Sequence, residues 1–226
     1  ERVRGAGFLK TLLLRRMGSS IYAGMQTTRK MLATWGTGVS LPQVGEDDDT
    51  DAYDVNGTTI ADSDMKNLTA AERAELARCL RALEVSQDRD PKFQRVLDYL
   101  LVEKWLEQGC IIFSQYFDTA WWLAEALSSD HLPEIPIGLY AGGGNSGILI
   151  GGQFKACARD EIKAKAKHGE IKLLIGTDAA SEGLNLQRLG TLINLDLPWN
   201  PTRLEQRKGR IQRIGQVREE VYVCNL

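Results

Sequence analysis

The chain has 226 residues, 43% of them hydrophobic and 26% charged, with a formal net charge of −2. That length can bury a full core, most naturally as one domain plus an appendage, and the composition is that of an ordinary globular protein. The near-neutral balance excludes a uniformly basic nucleic-acid binder, and the lack of any apolar run of about 18 residues excludes a membrane-spanning helix.

The net charge conceals segregation. Residues 1–30 carry seven Lys/Arg against one Glu, residues 46–64 carry eight Asp/Glu and no base, and residues 201–218 carry six Lys/Arg against Glu205 alone. Local patches of this kind, and not the sum, set the field a phosphate backbone would feel. Cys79, Cys110, Cys157 and Cys224 form no C-x-x-C pair, and only His131 and His168 could assist them. This pattern predicts reduced thiols in a cytoplasmic protein and no zinc site. The chain opens at Glu1 without an initiator Met, which leads us to expect a piece of something longer.

In chain order, apolar residues recur at helical spacing from Gly7 to Trp35, interrupted by Gly18-Ser19-Ser20, which can cap a second helix. A helical hairpin or kinked helix is expected. Residues 36–67 are rich in Gly, Asp and Thr around Glu46-Asp-Asp-Asp-Thr-Asp51. So little apolar surface cannot offset ordering entropy, so this stretch reads as an acidic, flexible loop. Thr69-Ala-Ala-Glu72 is a capping box opening a helix to about Val85. Asp90-Pro91 opens another, with Phe93, Val96, Leu97, Leu100 and Trp105 on its apolar side and Gly109 as its stop.

From there strands and helices alternate. Strands are predicted at Cys110–Ser114, Ile135–Tyr140, Ile171–Ile175, Thr191–Leu195 and Val221–Asn225, and helices near Asp118–Leu127 and over Gln153–Lys167. This interleaving implies an α/β fold, a mostly parallel sheet covered on both faces. Ligands in such sheets meet the carboxyl ends of the strands, where Ser114, Thr177 and Asp196 should lie. Tyr140 to Gly147 is glycine-rich but lacks the G-K-[ST] ending of a phosphate loop, so a flexible loop is expected. Trp121-Trp122 reads as core or packing surface.

Two blocks stand out. Ile175-Gly-Thr177-Asp178 through Gln187 takes a strand end into a hydroxyl, a carboxylate and small residues that let backbone approach a ligand. Gln206-Arg-Lys-Gly-Arg210-Ile-Gln-Arg213-Ile-Gly-Gln216 follows an N-cap and first helical residue at Asn200-Pro201. At about 100° per residue, Gln206, Arg210 and Arg213 share one helix face, with Leu204 and Ile211 opposite. Guanidiniums are rigid, forked and always charged, so such a row suits a polyanion whose charge grows during reaction.

The Gln206–Gln216 block, together with Asp196-Leu-Pro-Trp-Asn-Pro and Leu204-Glu-Gln, resembles the sixth motif of superfamily-two helicases of the Swi/Snf type. It is most similar to the bacterial branch around the RNA-polymerase-associated translocase and a defence-system helicase. The match runs through roughly residues 90–226. It implies a RecA-like second lobe (91–226) preceded by a helical N-terminal appendage, made of a connector with an acidic loop (1–67) and a connecting helix (68–90). Residues 175–187 resemble the fifth motif, which implies that Thr177 meets a nucleic-acid phosphate and that Glu182, Gly183 and Asn185 face the nucleotide. Ile111–Gln115 resembles the fourth motif, placing Ser114 and Gln115 near the strand backbone. In the sixth, Gln206 would also line the nucleotide, and Arg210 and Arg213 would be arginine fingers.

Two elements of such a motor do not occur in these residues: a G-x-x-x-x-G-K-[ST] loop and a D-E-x-[HD] box. Without that Lys and the Mg²⁺ carboxylates, triphosphate cannot be held. The resemblance therefore implies the C-terminal motor lobe of an ATP-dependent DNA translocase, silent alone. ATP and Mg²⁺ would be held mainly by an N-terminal ATPase lobe of the same protein, with duplex DNA as partner and a nucleoid-associated location if bacterial. A different class remains open: a stand-alone nucleic-acid or protein-binding module without ATPase activity.

Overall fold

A computed structural model describes residues 2–33, 69–177, 186–198 and 200–226. The acidic stretch 36–67 lies outside the described residues. The chain divides into two compact units, Glu1–Asp90 and Pro91–Leu226.

The first unit contains three described α-helices, α1 (Arg2–Ser19), α2 (Ile21–Ala33) and α3 (Ala70–Ser86). Ser20 is the break foreseen between the first two: its Oγ accepts the Ala23 N–H at 3.0 Å, a side-chain cap for the new helix. Asp90, buried, adds a second cap by accepting the Ile21 N–H on Oδ2 at 2.8 Å. The capping box of α3 forms in both directions between Thr69 and Glu72.

In the second unit the single helix expected from Pro91 to Gly109 is broken. α4 (Pro91–Leu97) passes into a π turn, Asp98–Val102, in which the Glu103 N–H reaches back to the Asp98 carbonyl. Lys104 then takes a left-handed φ of 59°, and α5 (Trp105–Gln108) restarts the helix up to Gly109. The offset brings Trp105 into the core beside Tyr99 and leaves Leu101 and Val102 exposed. The expected stripe held Trp105 only at its margin, because an unbroken helix would turn Leu101 closer to Phe93, Val96, Leu97 and Leu100.

Three further helices, α6 (Phe117–Ala126), α7 (Arg159–His168) and α8 (Pro201–Ile211), accompany seven strands: β1 (Cys110–Ser114), β2 (Ile137–Tyr140), β3 (Gly147–Ile150), β4 (Gln153–Ala156), β5 (Leu173–Thr177), β6 (Thr191–Asn194) and β7 (Tyr222–Asn225). They form one sheet in the order β4-β3-β2-β5-β1-β6-β7. In sheet order the five strands from β2 to β7 run parallel, and β3 alone is reversed, pairing antiparallel with both β2 and β4. Successive strand residues feed two cores. Ile112, Leu139, Ile175 and Ile193 pack with Val96 of α4 and Leu123 of α6, whereas Phe113, Tyr140, Leu174 and Leu192 pack with Ile162 of α7 and Ile211 of α8. Helices thus cover both faces, as parallel pairing demands.

The β3–β4 hairpin replaces one expectation, the start of a helix at Gln153, and follows the glycine-rich loop after Tyr140. Gly151 and Gly152, at φ 56° and 73°, form the two-residue hairpin connection in which both central residues are left-handed. The helix therefore begins only at Arg159. The preceding turn is defined by its own bonds, for the buried Ser146 hydroxyl accepts the Ala141 N–H and donates to the Ala141 carbonyl.

Candidate functional site

The carboxyl ends of β1, β5 and β6 bring the motif residues together. Ser114 and Thr177 are register partners across β1 and β5, and Asp196 follows the end of β6. The organiser is the Asp196 carboxylate, nearly buried. Oδ2 accepts the Ser114 hydroxyl at 2.8 Å and Oδ1 the Gln115 N–H at 2.7 Å. Facing it from α8 is Arg207, 1% exposed, whose Nη1 donates to Asn194 Oδ1 (2.9 Å) and to the Asp196 carbonyl (3.0 Å). Its Nη2 lies 3.9 Å from Asp196 Oδ1, and its guanidinium lies over the Phe113 ring at 5.3 Å. Lys92 adds a bond from Nζ to the Leu195 carbonyl at 2.5 Å.

These contacts revise the expectation for Ser114. Its side chain is fully buried, donating to Asp196 and accepting the Tyr116 N–H at 3.1 Å, so its hydroxyl organises the strand end and cannot reach a phosphate. Gln115 is half-buried with its N–H held by Asp196. Thr177 is buried at the last position of β5, and its Oγ1 has no hydrogen-bond partner among the described residues. Glu182, Gly183 and Asn185 lie outside the described residues.

α8 begins where the sequence placed it: the Asn200 side chain accepts the Thr202 N–H at 3.0 Å, and Pro201 occupies the first turn. Ile211 is buried and Leu204 half-buried, with Gln206 exposed on the helix. Arg210 is half-buried, and its Nε is buried without a hydrogen-bond partner among the described residues. Arg213 corrects the shared-face reading. The helix ends at Ile211, where Gln212 leaves helical geometry (φ −90°, ψ 83°), and Arg213 stands exposed on the turn that follows. Helical angles therefore cannot relate it to Arg210.

The sequence reading missed Arg207. A signal existed, because 204, 207 and 211 follow the i, i+3, i+7 spacing of an inward stripe, which puts this arginine on the apolar face. That it would meet Asp196 depends on the sheet and could not be read from spacing. Among the described residues no group of three or more His, Cys, Asp or Glu is placed to hold a metal ion, and no helix is long and apolar enough to cross a membrane.

Residues 91–215 match the helicase conserved C-terminal domain. The chain belongs to that family. The Pro91–Leu226 unit thus carries the helicase C-terminal domain, with motifs that resemble those of the Swi/Snf type. The ATP-dependent helicase YqhH of Bacillus subtilis (strain 168) is 38% identical over 138 residues, covering 61% of this chain and 22% of the relative. The RNA polymerase-associated protein RapA of Vibrio cholerae (strain M66-2) is 48% identical over 58 residues, 25% of this chain and 6% of the relative. The C-terminal part of the Fun30 ATPase domain is 21% identical with a TM-score of 0.47, covering 92% of this chain and 62% of that one. The chain thus spans less than a quarter of the length of these curated relatives.

Proposed function

We propose that this helicase C-terminal domain is the second motor lobe of an ATP-dependent DNA translocase, completing a nucleotide site whose other half lies on an N-terminal ATPase lobe of the same gene product. Arg210 and Arg213 act as arginine fingers, with Gln206, Glu182, Gly183 and Asn185 lining the nucleotide. Thr177 and Gln115 meet the duplex backbone. One observation carries the reading. In the Pro91–Leu226 unit, the buried side-chain polar atoms without a hydrogen-bond partner among the described residues are Thr177 Oγ1 and Arg210 Nε. Both belong to residues that the motif resemblance assigns to external ligands. Buried donors and acceptors left unpaired cost about 1–3 kcal/mol each, and a cost of that kind at two motif residues is what a binding surface without its ligand would carry.

The chemistry of the donor set fits. When bound, ATP with Mg²⁺ supplies the phosphoanhydride whose cleavage powers movement. The guanidiniums of this lobe offer forked donors to phosphate oxygens without changing protonation. Mg²⁺ is assigned to the partner lobe, which would bring the G-K-[ST] loop and the D-E-x-[HD] carboxylates. Phosphate contacts carry no sequence information, so Thr177 and Gln115 suit movement along DNA of any sequence.

The test is DNA-stimulated ATP hydrolysis by the full-length gene product and by its Arg210→Ala and Arg213→Ala variants. An arginine finger is worth about 10³–10⁵ in rate, so each variant should lose turnover on that scale. Unchanged turnover in both, with tight DNA binding by this chain alone at moderate salt, would instead establish a stand-alone binding module.

A further inference from the structure

We propose that two side-chain amides, Gln187 and Gln216, are positioning residues that fix the turn carrying Arg213; the inference rests on the reading of Arg213 as a finger. Arg213 opens a four-residue turn, Arg213 to Gln216, closed by the Gln216 N–H on the Arg213 carbonyl at 3.0 Å. Gly215, at φ 89°, occupies the third position, and among the described non-glycine residues only Lys104 has positive φ, which makes this a type II turn. Ile214, the second residue, is 100% exposed. No apolar contact therefore pins the turn down.

The two amides hold it from either side. Gln216 Nε2 donates to the Ile211 carbonyl at 2.6 Å, satisfying an orphan carbonyl at the end of α8, and to the Leu189 carbonyl at 3.1 Å. Its Oε1 accepts the Arg218 N–H at 3.1 Å. From the other side Gln187 Nε2 donates to the Ile214 carbonyl, within the turn itself. The fit is close: a Cβ on Gly215 would lie 2.6 Å from Gln187 Nε2. Backbone bonds extend the clasp, from the Leu186 N–H to the Arg210 carbonyl (3.2 Å) and from the Val217 N–H to the Gln187 carbonyl (3.0 Å). Arg213 thus leaves the chain between two anchored carbonyls, those of residues 211 and 214. Each such exposed or half-buried bond adds little to global stability. Its value lies in where it holds the guanidinium, since a displacement of about 1 Å can cost about 10² in rate.

The experiment uses the full-length gene product and follows DNA-stimulated ATP hydrolysis in Gln187→Glu, Arg213→Ala and the double variant. Glutamate keeps the shape of Gln187 and loses the donor. Single-turnover conditions at high enzyme keep the slow variants measurable. Gln187→Glu should lower kcat between about tenfold and about a hundredfold, leaving KM for ATP and the melting temperature close to those of the parent. Gln187→Met, which also lacks the donor but brings no charge, should give the same split. In the Arg213→Ala background, Gln187→Glu should cost nothing further, because its effect passes through that side chain. Full kcat in Gln187→Glu with Arg213→Ala impaired overturns the positioning role alone, as do losses that multiply in the double variant. A fully active Arg213→Ala removes the finger reading and this inference with it.

Discussion

Replacing Arg207 with Met tests whether the buried pair with Asp196 holds α8 to the strand ends. Methionine keeps most of the aliphatic stem and deletes the guanidinium. Lost are the bonds to Asn194 Oδ1 and the Asp196 carbonyl, the 3.9 Å approach to Asp196 Oδ1 and the stacking over Phe113. Removing one partner of a buried ion pair typically costs about 3–5 kcal/mol, chiefly because the other charge is stranded. Here the stranded carboxylate keeps the Ser114 hydroxyl and the Gln115 N–H, and Asn194 keeps its bond to Asn225. The low end, about 3 kcal/mol, is therefore expected. For a chain of this size 1 kcal/mol corresponds to roughly 2–4 °C, so thermal unfolding followed by circular dichroism should fall by about 6–12 °C. A double-mutant cycle with Asp196→Asn should return a coupling of at least about 1 kcal/mol. A loss below about 1 kcal/mol together with zero coupling would refute the claim that this pair fastens the helix.

Burial pushes the Cys110 thiol up to about 12, so in the folded chain it should resist iodoacetamide at pH 8 and react only after denaturant is added, as peptide mapping of alkylated cysteines would show. Because the unfolded thiol ionises first, the native state loses stability as pH rises from about 9 towards 12, by at most about 1.4 kcal/mol per unit; urea midpoints across that window check the sign. At the hairpin, Gly152→Ala places a Cβ 2.6 Å from Ser129 Oγ at φ 73° and should cost about 1–2 kcal/mol. Gly151→Asn, whose nearest neighbour would be the Pro133 carbonyl at 3.8 Å, should melt within about 1 kcal/mol of the parent.

The parts of the fold legible in the sequence were those with local causes. The capping box at Thr69 and the Asn200-Pro201 start of α8 each declare themselves within a few residues, and both form. Alternation of apolar runs with helical stretches was enough to place β1, β2, β5, β6 and β7 and the parallel sheet they build. The hairpin was not legible because Gly151-Gly152, its two-residue signal, lies between a glycine-rich loop and a stretch from Gln153 whose pattern suits a helix. The break at Lys104 had no local signal, since packing of Trp105 against Tyr99 decides it.

At the site, the division of labour along one helix shows what spacing alone leaves undetermined. Arg207, Arg210 and Arg213 are three residues apart, so a wheel turns each from the last by only about 60°. Arg207 spends its charge inside, on Asn194 and Asp196. Arg210 keeps an unpaired buried Nε, and Arg213 has left the helix for a turn held by two amides. Burial of a guanidinium is tolerable only where acceptors wait for it, and the end of β6 supplies them at position 207 alone. An arginine anchored in this way fixes the helix, and a fixed helix is the condition for the next two to serve an external anion. The interior pair is therefore a prerequisite of the proposed fingers and not a competitor to them. If Arg207→Met melts low yet keeps its DNA-stimulated kcat at a temperature where it is folded, that dependence is wrong.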